Sequence, residues 1–370
     1  MRGVEAPTVG DMIVDFPGAG ATELSAIGLG SLADAAPDIR AFERKYLRRV
    51  PVWAWRGLMA ALTKIELLRL NADPIDHLEH SDGIDYVGDG SAAHRLDVIR
   101  PAGTADDAAL PVYVYFHGGG WTSGDKRQAT KYCASQAASG MVVVNVNYRR
   151  ATRFRMSHIL DDADAALAWV RATIAEYGGD PDRIVLGGDS AGGQITGLYS
   201  AMLSSRELAR HYSIEPALPR RALLGLVQHC SVSDFSVLFD RDFVLGLGFV
   251  RILLPHRGKG RSLQGAARYL SPIEWVGPEH PPVFVSTSAR DFLYRANLNY
   301  VERLRSHGVQ VDTIIYDHTS RNTEHTWQQN ARLPESQEVY ARLQEFVARV
   351  AGPSVGLVRG VSGARVTMPE

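Results

Sequence analysis

The chain has 370 residues, enough for one large α/β domain with a cap or for two ordinary domains. At 45% hydrophobic and 22% charged, with a formal net charge of -1, it has the balance of a soluble globular protein and no overall basic field for nucleic acid. Two cysteines, Cys133 and Cys230, are too few for a disulfide framework, and no apolar run marks a signal peptide or reaches the roughly 18 to 20 residues of a membrane span, so a cytoplasmic protein is expected.

Residues 1–80 read mainly as helices and connectors, the first segment of a helical cap. Within them Phe42, Tyr46, Leu47, Trp53, Trp55, Leu58, Met59, Leu62 and Ile65 recur at mostly helical spacings, interrupted at Pro51. Arg40, Arg44, Lys45, Arg48 and Arg49 make the stretch locally basic. A basic helix bearing Trp suits a membrane surface. An apolar packing face backed by a solvated charged face accounts for the same pattern and is the preferred reading.

After Gly88-Asp89-Gly90 the pattern changes. Residues 94–99, 110–116 and 141–147 read as strands, the second nearly all apolar and the third rich in valine, as strands covered on both faces should be. A helix over 158–177 follows, then a short strand at 183–187 and a helix from about 194 to 203. Strands at 223–229, 282–288 and 309–316 and a closing helix over 335–350 complete the alternation. It predicts an α/β fold with a mostly parallel, doubly wound sheet over residues 94–350. Residues 235–269, aromatic and leucine-rich, interrupt the alternation and read as a second cap segment. The Gly- and Val-rich tail at 351–370 reads as poorly ordered.

Four motifs carry the chemistry. Gly188-Asp189-Ser190-Ala191-Gly192 lies between a strand and a helix, the context in which G-x-S-x-G makes a strained turn that exposes a nucleophilic serine. A trypsin-like reading of Gly-Asp-Ser with His94 upstream fails, because Ala191 replaces a glycine and the chain is not all-β. His117-Gly118-Gly119-Gly120-Trp121 follows the strand at 110–116, and its consecutive glycines let backbone N–H groups face a ligand. His117 reads as a support for that loop. Asp291 follows the strand at 282–288, where ligand-facing groups of open α/β sheets gather, whereas Asp312 lies inside the next strand. Of the two histidines after the last strand, His325, deeper in the loop and two residues before Trp327, is preferred to His318 as the base. No cluster has metal-ligand spacing, so neither metal nor cofactor is expected.

These motifs, with Tyr148-Arg149 after a valine-rich strand and Asp291-Phe292-Leu293, resemble the hormone-sensitive lipase-like family of α/β-hydrolases over roughly residues 94–350. The resemblance implies a carboxylic ester hydrolase that uses Ser190, Asp291 and His325 on a small-molecule ester. It also implies an oxyanion hole from the N–H groups of Gly118, Gly119 and Ala191. The chain departs from the family's pattern at Arg150 and Thr152, at Thr326-Trp327, and in a long loop over 317–324. With a cap over the site, esters of short to medium acyl chain are expected. The alternatives are an amidase or aryl-formamidase, or a ligand-binding protein that has lost the chemistry.

Overall fold

Strands β3 (Leu110–Phe116) and β4 (Val142–Val146) are buried along their whole length, which is why neither sequence alternates polar with apolar residues. The computed structural model, which describes residues 67, 69–239, 246–254 and 263–352, places them inside an eight-stranded sheet. The other strands are β1 (Leu78–Asp85), β2 (Arg95–Pro101), β5 (Gly179–Asp189), β6 (Leu223–His229), β7 (Val283–Ser288) and β8 (Val311–Tyr316). Their order across the sheet is β1-β2-β4-β3-β5-β6-β7-β8. Only β2 runs against the rest, pairing antiparallel with both β1 and β4.

Helices cover both faces. They are α1 (Thr130–Ala137), α2 (Met156–Thr173), α3 (Ala191–Met202), α4 (Arg206–Tyr212), α5 (Gly246–Leu253), α6 (Leu263–Ala267), α7 (Tyr294–Ser306) and α8 (Pro334–Ala351). Alternation along the strands divides the core. Val112, Val114, Phe116 and Leu186 pack with Ile159 and Leu160 of α2 and with Ile195 and Leu198 of α3. Their neighbours Tyr113, Tyr115 and Val185 point the other way and pack with Tyr132 and Cys133 of α1 and with Leu343 and Phe346 of α8. Each fully buried Leu or Phe here contributes roughly 1.5–3 kcal/mol of transfer free energy.

The fold differs from the sequence reading at β1, which lies partly in the stretch assigned to helices and connectors. Its sequence, Leu-Glu-His-Ser-Asp-Gly-Ile-Asp, is mostly polar because it is an edge strand, part-exposed and broken by a register shift between Ser81 and Ile84. The helical expectation for the N-terminal segment otherwise lies outside the described residues, as do positions 240–245 and 255–262 of the insertion and the tail from 353. Among the described residues no helix is long and apolar enough to cross a membrane.

Candidate active site

Strand β5 runs directly into Ser190, and α3 leaves from the next residue. The turn between them puts Ser190 at φ 50°, ψ -116°. A non-glycine residue held there costs about 1–3 kcal/mol, so its surroundings must enforce it. Ser190 N–H donates to His229 O at 2.9 Å at the end of β6, and Ser190 O accepts from Val232 N–H at 3.2 Å. Gly192 admits the close crossing of β3: a Cβ there would lie 1.9 Å from Phe116 O.

The turn after β7 carries Asp291, and the loop after β8 carries His325. His325 Nδ1 lies 2.9 Å from Asp291 Oδ1, and His325 Nε2 lies 3.0 Å from Ser190 Oγ. A carboxylate only accepts, so Nδ1 holds the imidazole proton and Nε2 is left to accept from the serine hydroxyl. Asp291 is buried, and its Oδ1 accepts a second bond from Leu293 N–H at 2.9 Å. Thus Ser190, His325 and Asp291 are brought together in one hydrogen-bonded line. His318 is exposed and lies outside it. Asp312 pairs instead with Arg349 at 2.6 Å on the surface.

The glycine loop departs from expectation at one donor. Gly118 N–H donates to Asp189 Oδ1 at 2.9 Å, and Tyr115 O–H donates to the same oxygen at 2.5 Å. Gly118 therefore anchors the loop, and its N–H cannot also serve an oxyanion. The next residues, Gly119, Gly120 and Trp121, have φ of 117°, 56° and 60°. The N–H groups of Gly119, Gly120 and Ala191 take no acceptor from the described residues. At Gly119 a Cβ would stand 2.4 Å from Ser123 O, so only glycine fits.

His117 acts as the loop's support. Its Nδ1–H donates to Gly118 O at 2.7 Å, its ring stacks on Tyr148 at 4.6 Å, and its carbonyl accepts from Tyr148 O–H at 2.8 Å. Burial pulls its pKa down to about 4, so the ring is neutral at pH 7. Burial pushes the Asp189 carboxyl up from its usual range, opposed by the bond from Tyr115, the nearby His325 and the Gly118 N–H. Sequence reasoning treated Asp189 only as the variable position of the elbow. The available signal was a carboxylate between a buried strand and a helix, where it needs donors.

Aromatic residues surround this centre. Trp121 Nε1–H donates to Gln194 Oε1 at 3.0 Å, and its ring lies 5.7 Å from both Phe235 and Phe249 of the insertion. Phe292 lies on His325 with ring centroids 4.2 Å apart. Among the described residues, one group has the donors to hold a metal ion. Cys230 offers its sulfur, Asp291 an oxygen and His325 a nitrogen, all within 4.8 Å of one another. Two of its three members already form the serine-histidine-aspartate line.

An elbow serine, an aspartate and a histidine in that chain order, on a mostly parallel sheet wrapped by helices, define the α/β-hydrolase class. Residues 113–324 match the family model described as alpha/beta hydrolase fold. The chain is 30% identical over 295 residues to carboxylesterase NlhH of Mycobacterium tuberculosis, covering 75% of this chain and 86% of that one. It is 31% identical over 257 residues to probable carboxylic ester hydrolase LipM of the same organism. That match takes in 68% of this chain but spans only 56% of LipM. The chain belongs to the hormone-sensitive lipase-like family of α/β-hydrolases. Its fold is similar to that of esterase B from Lactobacillus rhamnosis (TM-score 0.72, 21% identity, 81% of this chain and 96% of that one). It is also similar to a hyperthermophilic esterase from Pyrobaculum calidifontis (TM-score 0.61, 23% identity, 85% and 98%).

Proposed function

We propose that this protein hydrolyses carboxylic esters of short to medium acyl chain through an acyl-enzyme on Ser190. The observation that carries the reading is the unbroken line from Ser190 Oγ to His325 Nε2 and from His325 Nδ1 to Asp291 Oδ1, at 3.0 and 2.9 Å. In the first half-reaction Ser190 Oγ attacks the ester carbonyl while Nε2 takes its proton. Asp291 stabilises the imidazolium and holds the ring in place. The developing oxyanion is received by the N–H groups of Gly119, Gly120 and Ala191, each such donor contributing about 3 kcal/mol. Nε2–H then protonates the leaving alcohol, and water, deprotonated by the same nitrogen, releases the acid.

The acyl preference rests on the insertion. Phe235 and Phe249 pack against Trp121 of the glycine loop, which supports reading this segment as a cap that bounds the acyl chain. An enclosed pocket rewards each added methylene by about 0.8 kcal/mol until it is full. The unpaired, buried thiols of Cys133 and Cys230 suit the reducing cytoplasm. The test is hydrolysis of a series of p-nitrophenyl esters of rising acyl length, together with labelling by a fluorophosphonate. Labelling that is lost in Ser190→Ala and a kcat/KM maximum at short to medium chains are expected. Absence of labelling in folded protein refutes the nucleophile, and a maximum on long chains refutes the cap.

A further inference from the structure

Asn297 is fully buried near the start of α7, in a helix, where asparagine is a poor choice because its side chain competes for backbone hydrogen bonds. Its amide is bonded at both ends. Oδ1 accepts from Ser231 N–H at 3.1 Å, and Nδ2 donates to Ser231 O at 3.1 Å and to Leu293 O at 2.9 Å. Leu293 O already accepts the helical bond from the Asn297 backbone N–H, at 3.1 Å, so α7 closes without help from the side chain. What the amide adds is a link to Ser231, with which it exchanges a donor and an acceptor as a neighbouring strand would.

The two ends of this link belong to different parts of the site. Ser231 lies between the residues that grip the backbone of Ser190: His229 O accepts from Ser190 N–H at 2.9 Å, and Val232 N–H donates to Ser190 O at 3.2 Å. Leu293 lies in the turn after β7, and its N–H donates to Asp291 Oδ1 at 2.9 Å. That same oxygen stands 2.9 Å from His325 Nδ1. Strands β6 and β7 are ladder neighbours as far as the bond from Cys230 N–H to Ser286 O. Beyond it the Asn297 amide carries the connection from the serine side to the acid side.

Resting on the ester-hydrolase reading above, we propose that Asn297 is a positioning residue whose amide clamps the segment gripping Ser190 to the turn carrying Asp291, and so fixes the spacing that His325 has to bridge. It touches neither the substrate nor the reacting atoms. The imidazole is rigid, and it holds bonds of 2.9 and 3.0 Å to its two partners only while they keep their separation. A loosened clamp lets one of those bonds lengthen, which costs proton transfer without altering what holds the substrate. A neighbouring bond provides the contrast. Asn299 Nδ2 donates to Asp234 Oδ2 at 2.7 Å, tying the same helix to the same segment without meeting Ser231 or Leu293.

The experiment compares the full-length wild type with Asn297→Ala, Asn297→Ser and Asn299→Ala. It measures steady-state hydrolysis of p-nitrophenyl butyrate, the rate of Ser190 labelling by a fluorophosphonate, and thermal melts. Serine at 297 can still return its hydroxyl to the Leu293 carbonyl one turn back but is too short to reach Ser231, so it opens the clamp with fewer bonds lost. In folded Asn297→Ala and Asn297→Ser, kcat should fall by about 10- to 100-fold with KM altered less than about threefold, and labelling should slow in parallel. Asn299→Ala should keep kcat within about twofold even where its melting temperature drops. A folded Asn297 variant with kcat within about threefold of the wild type overturns the proposal. So does an equal loss of kcat in Asn299→Ala, which would tie the effect to docking of the helix. Failure of both Asn297 variants to fold also overturns it, leaving Asn297 a structural residue alone. If the wild type neither cleaves the ester nor takes fluorophosphonate at Ser190, the hydrolase reading itself fails. Labelled, active enzyme with unaltered kcat in the variants sinks only the clamp.

Discussion

Asp189 is the residue on which the oxyanion loop hangs, and removing it should separate anchoring from chemistry. Its Oδ1 accepts from Gly118 N–H at 2.9 Å and from Tyr115 O–H at 2.5 Å, all three residues being buried or enclosed. Asp189→Ala leaves two buried donors without an acceptor, each costing about 1–3 kcal/mol. Relief from holding a carboxylate away from water offsets part of that. A net loss of roughly 2–4 kcal/mol follows, lowering the melting temperature by several degrees. The catalytic effect should be larger than the structural one suggests. Once Gly118 is released, the N–H groups of Gly119 and Gly120 no longer point reliably at the oxyanion. One misplaced donor is worth about 10²-fold in kcat.

We therefore expect Asp189→Ala to lose about 10²- to 10³-fold in kcat on a short soluble ester with KM altered less than about threefold, because the donors act on charge that develops in the transition state. Asp189→Asn keeps an acceptor oxygen at the same place and should stay within about tenfold of the wild type. Tyr115→Phe removes one of the two bonds without touching the loop and should destabilise by about 1.5–3 kcal/mol with little loss of kcat. The assay is steady-state kinetics alongside thermal melts. Folded Asp189→Ala with near-normal kcat refutes the anchoring argument, and Asn as damaging as Ala would mean that charge, and not acceptance, is what the loop requires.

Ser190→Ala should keep the fold and lower turnover by roughly 10⁴- to 10⁶-fold; Ser190→Gly should be as inactive yet melt no lower than the alanine variant, since glycine tolerates φ 50°. His325→Ala should cost at least about 10³-fold in kcat/KM and His318→Ala no more than about threefold; comparable losses would reverse the choice of base. Burial pulls the pKa of His117, His229 and His280 down from 6.5 to about 4, 3 and 4, so below about pH 6.5 the unfolded chain takes up protons that the folded chain refuses. Stability should accordingly fall between pH 6.5 and about 4, partly countered near the bottom of that window by Asp189, whose raised pKa has the opposite sign. A urea midpoint equal at pH 7.5 and pH 5, or one whose drop is not lessened in His280→Gln, contradicts this.

What the sequence made legible was what burial on two faces dictates. The runs at Leu110–Phe116 and Leu223–His229 are strands over the spans read, because a strand covered by helices on both sides is mostly apolar along its length. Strand β1 escaped because an edge strand with part-exposed residues carries no such pattern. Helix α1 escaped for a related reason: Thr-Lys-Tyr-Cys-Ala-Ser-Gln-Ala is short and mixes polar with apolar residues, yet Gln136 is fully buried. At the site, Ser190, Asp291 and His325, which lie in one hydrogen-bonded line, were legible as candidates because each follows a strand. Which glycine N–H groups are left without an acceptor could not be read, since three consecutive glycines look alike until Asp189 claims the first. Phe292 was visible only as the middle of a motif. Its contact with His325 depends on how two loops after different strands meet.

The distribution of backbone strain accounts for how such a site stays fixed. Trp121, Ser190, Cys230 and Thr326 all have positive φ, at 60°, 50°, 45° and 61°. They come from four segments, after β3, β5, β6 and β8, and each lies within one residue of the glycine loop, Ser190, the His229 carbonyl that accepts from its N–H, or His325. Non-glycine residues in such conformations cost of order 1–3 kcal/mol each, which no loop sustains on its own. The sheet beneath supplies the opposing free energy, because β3, β5 and β6 are hydrogen-bonded neighbours buried between two apolar layers. A turn free to relax would swing Ser190 Oγ away from His325. Substitutions far from the chemistry, such as Phe346→Ala in α8, should therefore lower melting temperature without changing KM.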